Sequence, residues 1–237
     1  MKERPILFSA PMVRAILAGT KTQTRRVVKP QPTDDVEGSG RWYWFKGINS
    51  RSFDCHAWPE NFIEHCPYGA VGDRLWVRES FYFDLLSYAN GGPLPKEKPD
   101  KADENLYYAA DGKCCQIIPE CACAEVGKPR FRPSIYMPRW ASRITLEIVS
   151  ISVECLQDIS EDDAKAEGIL RARPVTGEPL TFYDYLSQIK DPCEWFSDPR
   201  RSFQSLWRSI NGPDSWQSNP WVWVVEFKHI NQPVQTP

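Results

Sequence analysis

The sequence lacks a long apolar segment. Its longest apolar runs, such as Trp221 to Val225, are far shorter than the roughly 20 residues that a membrane-spanning helix requires. The first residues, MKERPILFS, also lack the apolar core of a signal peptide. We therefore expect no membrane contact and a cytoplasmic protein, in which the eight cysteines stay reduced.

Neither sign of charge is in excess. The 237 residues include 29 lysines and arginines and 31 aspartates and glutamates, for a net charge of -2. A chain without a global positive field binds nucleic acid only through a local basic patch. The composition therefore excludes a polycation but leaves room for such a patch.

Residues that hold metals are also few or poorly spaced. The chain has three histidines, and its eight cysteines form no C-x-x-C pair, the spacing typical of structural zinc sites. Cys55-His56 and His65-Cys66 flank an eight-residue spacer. We expect no metal and no cofactor. A zinc ion held by a loop stays an open alternative, with the candidate ligands Cys114, Cys115, Cys121 and Cys123.

Local signals predict a series of short elements. Ser9 and Pro11 favour the start of a helix that Gly19 ends, and a strand should follow it. Alternating residues predict a strand around Leu75 to Phe81, and Arg143 to Glu154 is the longest strand candidate, with a change of apolar phase typical of a bulge. Helices should begin after Ser160 and after Asp198-Pro199, and NPWVWVVEF should form the closing strand.

The order of these elements predicts one α+β domain over residues 1–237. Prolines, glycines and charged residues are frequent between the elements, which indicates insertions at about 30–65, 84–133 and 170–197. The β-α-β start, the several strands and the short helices favour a small closed β-barrel flanked by short helices, with long loop insertions.

The stretch GTKTQTRRVVK, residues 19–29, permits three interpretations. It is a phosphate-binding segment, a solvated turn, or a catalytic segment in which Lys21 reacts. A lysine near an apolar barrel mouth loses solvation, which lowers its pKa and exposes a neutral amine. A surface lysine is the commoner case. If the segment is extended, Lys21 and Arg25 share a face, and Thr24 faces away.

Glu79 also has two interpretations. If Leu75, Val77 and Phe81 face the interior, the period of two places the carboxylate of Glu79 on the same inward face. A buried carboxylate needs a partner, because unpaired burial is costly or raises its pKa. Glu79 is therefore either one half of a structural ion pair with an arginine such as Arg74 or a group that takes part in catalysis. The opposite phase, with Trp76 inward and Glu79 outward, stays open.

Two motifs resemble those of a known family. GTKTQTR has the form G-x-K-x-x-T-R, and GDRLWVRES follows it. Together they resemble the ASCH domain family, which is related in fold to PUA-type RNA-binding barrels. NPWVWVVEF is similar to the strand that closes the barrel in larger, phage- or prophage-associated members. The resemblance covers about residues 5–28, 66–82, 134–168 and 200–228, and the long insertions lie outside what small members contain.

The resemblance implies an activity and a site. Small members include an amidohydrolase that removes the acetyl group of N4-acetylcytidine with a lysine, a threonine and a glutamate. In this chain the matching residues are Lys21 as nucleophile or base, Thr24 as oxyanion donor and Glu79 as proton shuttle. The substrate would be held by arginines: Arg25, Arg26 and Arg78. Other members are thought to bind or cleave RNA.

A basic and aromatic segment suggests a nucleic-acid partner. Residues 129–143, PRFRPSIYMPRWASR, interleave arginines with aromatic residues, including Arg139 and Trp140. Arginines neutralise phosphates, and rings stack on unpaired bases. The alternative is that the rings belong to the core and the arginines form a solvated rim. We expect the partner to be a modified pyrimidine nucleoside or single-stranded RNA, bound with or without catalysis; the oligomeric state stays open.

Overall fold

The computed structural model describes residues 1–34, 42–43, 63–83, 94–100, 106–112, 131–172, 180–186 and 195–230. The strands in this part of the chain are β1 (Glu3–Leu7), β2 (Gln23–Val27), β3 (Thr33–Asp34), β4 (Trp42–Tyr43), β5 (Arg74–Arg78), β6 (Phe81–Phe83), β7 (Leu106–Tyr108), β8 (Thr145–Cys155) and β9 (Trp221–His229). The α-helices are α1 (Ala10–Leu17), α2 (Glu161–Ala166) and α3 (Pro199–Asn211). The protein is therefore of mixed α+β class, with a core made mostly of sheet and a few short helices.

The chain divides into two compact units. The first contains Met1–Ala18, Arg74–Glu147 and His229–Pro237, and the second contains Gly19–Asp73 and Ile148–Lys228. β8 begins in the first unit and ends in the second. Glu79 thus belongs to the first unit, whereas Lys21 and Thr24 belong to the second.

The first unit contains two groups of paired strands. β1 runs parallel to β5, and β5 pairs antiparallel with the start of β8, so that Trp76 lies opposite Pro5 on one side and Thr145 on the other. β6 pairs antiparallel with β7. Phe81 and Met137 lie at the centre of a small buried cluster beside this pair. Leu75, Val77, Glu79 and Phe81 are all buried, as expected for the inward phase, and Trp76 between them is buried too.

The second unit contains β2 and β9, which are antiparallel and place Arg26 opposite Trp223. β8 neighbours β9 in the same sheet, and the short strands β3 and β4 pair with each other. The apolar faces of α2 and α3 pack with residues of β9 into one buried cluster: Leu156, Ile159, Ala164, Ile169, Phe182, Phe203, Trp207, Val222 and Val224. These contacts hold α2 against the sheet. Charged side chains of β2 and α2 form the network of ion pairs that is described below.

Local signals set the bounds of α1 and α2. The backbone of Ser9 is extended, a proline occupies the first turn of α1, and Gly19 follows the helix with φ +72°, a conformation that glycine adopts without strain. The hydroxyl of Ser160 accepts a hydrogen bond from the backbone N–H of Asp163 at 3.1 Å. It therefore satisfies one of the free donors at the start of α2. Both predicted helices are confirmed.

α3 also begins and ends where the sequence predicts. The carboxylate of Asp198 accepts the backbone N–H of Arg200 at 2.7 Å, and Gly212 follows the last residue of the helix. Phe203 and Trp207 are buried, whereas Ile210, at the helical spacing of the same face, is exposed near the end of the helix. In the described part of the chain, no helix has the length and apolar character needed to cross a membrane.

Burial along β8 changes phase within the strand. Leu146 and Ile148 are buried, and then Ile151 and Val153 are buried, so the inward positions change from even to odd numbers. The sequence predicted this change. Val149 is exposed, so the change falls between residues 148 and 151.

Candidate functional site

Lys21 is fully buried and its ammonium group is saturated. Nζ donates to the backbone oxygen of Gln23 at 2.9 Å, to the backbone oxygen of Glu167 at 2.8 Å and to the carboxylate of Glu167 at 2.7 Å. An ammonium group has three N–H donors, and all three are used here. Burial lowers the pKa of Lys21 below its ordinary value, and the Glu167 carboxylate opposes this effect.

Arg25 lies on the same face as Lys21 and shares its carboxylate. The backbone N–H of Arg25 donates to Glu167 at 2.6 Å, and its Nε donates to Glu154 at 2.7 Å. Asp163 lies 3.4 Å from the guanidinium group. We call these five residues the Glu167 network. It contains two cations and three carboxylates within the second unit. The carboxylates contact the guanidinium group of Arg25.

Thr24 and Arg26 alternate with the Glu167 network along β2. Because successive residues of a strand point to opposite faces, their side chains lie on the face away from Arg25. Thr24 is buried and stands opposite Val225 in register, while Arg26 stands opposite Trp223. The expectation that Lys21 and Arg25 share a face while Thr24 turns away agrees with this register.

A pocket of about 400 Å³ opens beside Arg26 in the second unit. We call it the Arg26 pocket. It is lined by residues from four separate segments: Arg26, Val27, Lys29, Pro67, Tyr68, Asn211 and Trp223. Two cations, two aromatic rings and one amide therefore surround a space of the size that small ligands occupy. Burial raises the pKa of the Tyr68 hydroxyl above its ordinary value, so the ring stays neutral.

Glu79 is paired with an arginine in the first unit. Nε of Arg143 donates to Glu79 at 2.9 Å, and Nη2 donates to the second carboxylate oxygen at 3.2 Å. The same guanidinium group contacts both oxygens of Asp111, and it stacks 3.9 Å from the ring centre of Tyr108. Burial raises the pKa of Glu79 above its ordinary value, although Arg143 counteracts part of that rise.

The other predicted binding residues lie in the first unit. Arg78 and Arg139 both stack on the ring of Trp76, at 4.7 and 5.8 Å from its centre. Trp140 donates its indole N–H to the backbone oxygen of Pro95 at 3.0 Å. It also packs against the small buried cluster that contains Phe81 and Met137. Trp140 thus has a packing role, whereas the two arginines form a group of their own.

The described residues contain no cluster of three or more potential metal ligands. Cys66 and Cys155 form no disulfide bond within the described residues. The alternative zinc ligands between Cys114 and Cys123, and the Cys55-His56 pair, lie outside the described residues.

Comparison with known proteins does not assign the chain to a family. No family model matches it, and neither the curated proteins nor the solved structures give a match. The resemblance to the ASCH domain family therefore rests on the two motifs alone and stays a prediction.

Proposed function

We propose that this protein binds a nucleotide in the Arg26 pocket, either as a modified pyrimidine nucleoside derivative or within a single strand of RNA. The observation that carries the proposal is the lining of the pocket. Arg26 and Lys29 supply positive charge for a phosphate, Tyr68 supplies a ring for stacking, and the amide of Asn211 can both donate to and accept from a base edge. The local charge is compatible with a net charge of -2.

Lys29→Ala is expected to weaken the binding of a labelled oligouridylate. Lys29 is exposed at the pocket, and removal of one phosphate contact should reduce the slope of log K against log[salt] by about 0.7 for a single strand. Fluorescence anisotropy over a range of salt concentrations measures both quantities. The matched control is Lys165→Ala, which removes a lysine of α2 that already pairs with Asp162. Equal losses in the two variants would contradict the proposal.

We also propose that the scaffold is a PUA-like barrel of the ASCH type. The support is the order of the two motifs. The G-x-K-x-x-T-R form follows α1 and runs into β2, and the GDRLWVRES stretch contains β5. The long segments between the predicted elements would then be insertions in the loops of that barrel.

Hydrolysis of an N4-acylated cytidine is a second candidate function. The observation that favours it is the lowered pKa of the Lys21 amine, because a larger fraction of such an amine is neutral and able to act as base or nucleophile. In the described arrangement Glu167 and Gln23 occupy all three N–H groups of Lys21. Catalysis by Lys21 therefore requires that at least one of these bonds is released when substrate binds.

If the protein is this hydrolase, with Lys21 as base or nucleophile, Lys21→Ala should abolish acetate release from N4-acetylcytidine. Thr24→Ala should change the rate little, because the side chain of Thr24 lies on the face of β2 away from Lys21 and Arg25. Thr22→Ala is the matched control, since Thr22 is exposed two residues away on the same segment. Acetate release is measured directly for the wild type and each variant. A wild-type protein that releases no acetate from any acylated pyrimidine would exclude the hydrolase and leave binding alone.

A further inference from the structure

Two arginines of the first unit stack on one tryptophan. The guanidinium carbon of Arg78 lies 4.7 Å from the centre of the Trp76 ring, and that of Arg139 lies 5.8 Å from it. Cation–π stacking holds a guanidinium plane in a fixed orientation. We call Trp76, Arg78 and Arg139 the Trp76 cluster. Trp76 itself is almost completely covered, so the arginines form the part of the cluster that reaches solvent.

Arg78 has no acidic partner in the part of the chain that the structure describes. Among the residues that the structure describes, no carboxylate forms an ion pair with Arg78. Arg78 stands opposite Leu7 on β1, and its neighbour Trp76 stands opposite Pro5 and Thr145. No acidic residue is therefore in register with this end of β5.

Arg139 is only weakly neutralised. Its Nε lies 3.1 Å from the carboxylate of Glu3, but the two side chains are 41% and 38% exposed. An ion pair with this degree of exposure contributes little and exchanges readily with another anion. The Trp76 cluster thus presents two guanidinium groups stacked on one ring. Among the described residues the first has no carboxylate partner, and the second has one that is exposed and replaceable.

We propose that the Trp76 cluster is a second nucleic-acid contact, which holds phosphate oxygens of a single strand. A fixed guanidinium group presents paired N–H donors that match the oxygens of a phosphate. Tyr136, three residues before Arg139, is 63% exposed and offers a ring on which an unpaired base can stack. The inference rests on the proposed function for the class of partner, but it uses residues that do not line the Arg26 pocket.

Arg78→Gln and Arg139→Gln test this inference by anisotropy with a labelled oligouridylate. Each variant should lower the affinity about tenfold, as expected for a lost hydrogen bond to a charged group, and reduce the salt slope by about 0.7. Arg78→Lys keeps the positive charge but loses the paired N–H groups of the guanidinium. We therefore expect the salt slope of the wild type together with an affinity below that of the wild type. Arg14→Gln, an exposed arginine of α1 in the same unit, is the matched control and should change binding less than twofold. Circular dichroism verifies that each variant is folded.

The outcomes separate the two proposals. If both glutamine variants bind as tightly as the wild type while Lys29→Ala binds weakly, the Trp76 cluster is not a contact, and the Arg26 pocket stands. If the glutamine variants bind weakly and Lys29→Ala does not, the pocket proposal fails, and the cluster stands. Should polyglutamate displace the oligonucleotide as effectively as unlabelled oligouridylate does, the cluster would be an acidic-peptide site, and the nucleic-acid assignment would be overturned. Because Arg139 is exposed, its variant remains informative even if Arg78→Gln impairs folding.

Discussion

Replacement of Glu167 by alanine is expected to lower the free energy of unfolding by about 3–5 kcal/mol, the cost of breaking a buried ion pair from one side. The carboxylate of Glu167 accepts hydrogen bonds from Nζ of Lys21 and from the backbone N–H of Arg25, and both groups are buried. Without the Glu167 carboxylate, the buried ammonium group of Lys21 loses the anion that accepts its hydrogen bond. Urea denaturation followed by tryptophan fluorescence measures the change.

The two sides of this ion pair should not be equivalent. In Lys21→Met, Glu167 keeps the backbone N–H of Arg25 and a guanidinium contact at 3.4 Å, so the loss should be smaller than in Glu167→Ala. Lys165→Ala serves as the control, because its pair with Asp162 is exposed and should contribute about 0.5 kcal/mol or less. A larger loss for Lys21→Met than for Glu167→Ala would contradict the assignment of Glu167 as the centre of the network.

The elements with strong local signals could be predicted from the sequence. The ends of the helices are examples, because each depends on residues within one helical turn. The signals are Ser9 and Gly19 around α1, the serine-x-x-acid box at Ser160 for α2, and Asp198-Pro199 at the start of α3. The change of phase in β8 was also visible, since the period of two shows which residues face inward. The same period allowed a buried Glu79, but nothing local predicted the burial of Lys21, for which a surface position was the commoner case.

The partners of the buried charges could not be predicted in the same way. Glu167 lies 146 residues after Lys21, and Arg143 lies 64 residues after Glu79. No periodicity connects residues at such separations. The sequence suggested Arg74 as a partner of Glu79, whereas the structure pairs Glu79 with Arg143. The Arg26 pocket has the same difficulty, because Tyr68, Asn211 and Trp223 come from three different segments. Only Arg26 and Lys29 were recognisable as candidates, through their place in a basic stretch.

The largest effect expected in the first unit comes from Arg143→Ala. The side chain of Glu79 is 2% exposed, and Arg143 is bonded to both of its carboxylate oxygens. Removal of Arg143 leaves this carboxylate buried without its cation, which should cost about 3–5 kcal/mol at neutral pH. The same change removes the stacking on Tyr108 and the contacts to Asp111.

The loss in Arg143→Ala should depend on pH with a defined sign. Burial already raises the pKa of Glu79 above its ordinary value of 4.5, and loss of Arg143 raises it further. Between pH 4.5 and the pKa of Glu79 in the folded variant, Glu79 binds more protons in the folded state than in the unfolded chain. The stability of the variant therefore increases as the pH falls through that range. Urea denaturation at neutral pH and at several lower values measures the difference from the wild type. That difference should shrink on acidification, whereas Arg139→Ala, with its exposed partner Glu3, should cost about 1 kcal/mol or less at every pH. A deficit in Arg143→Ala that stays constant or grows on acidification would mean that the charge of Glu79 does not determine the loss.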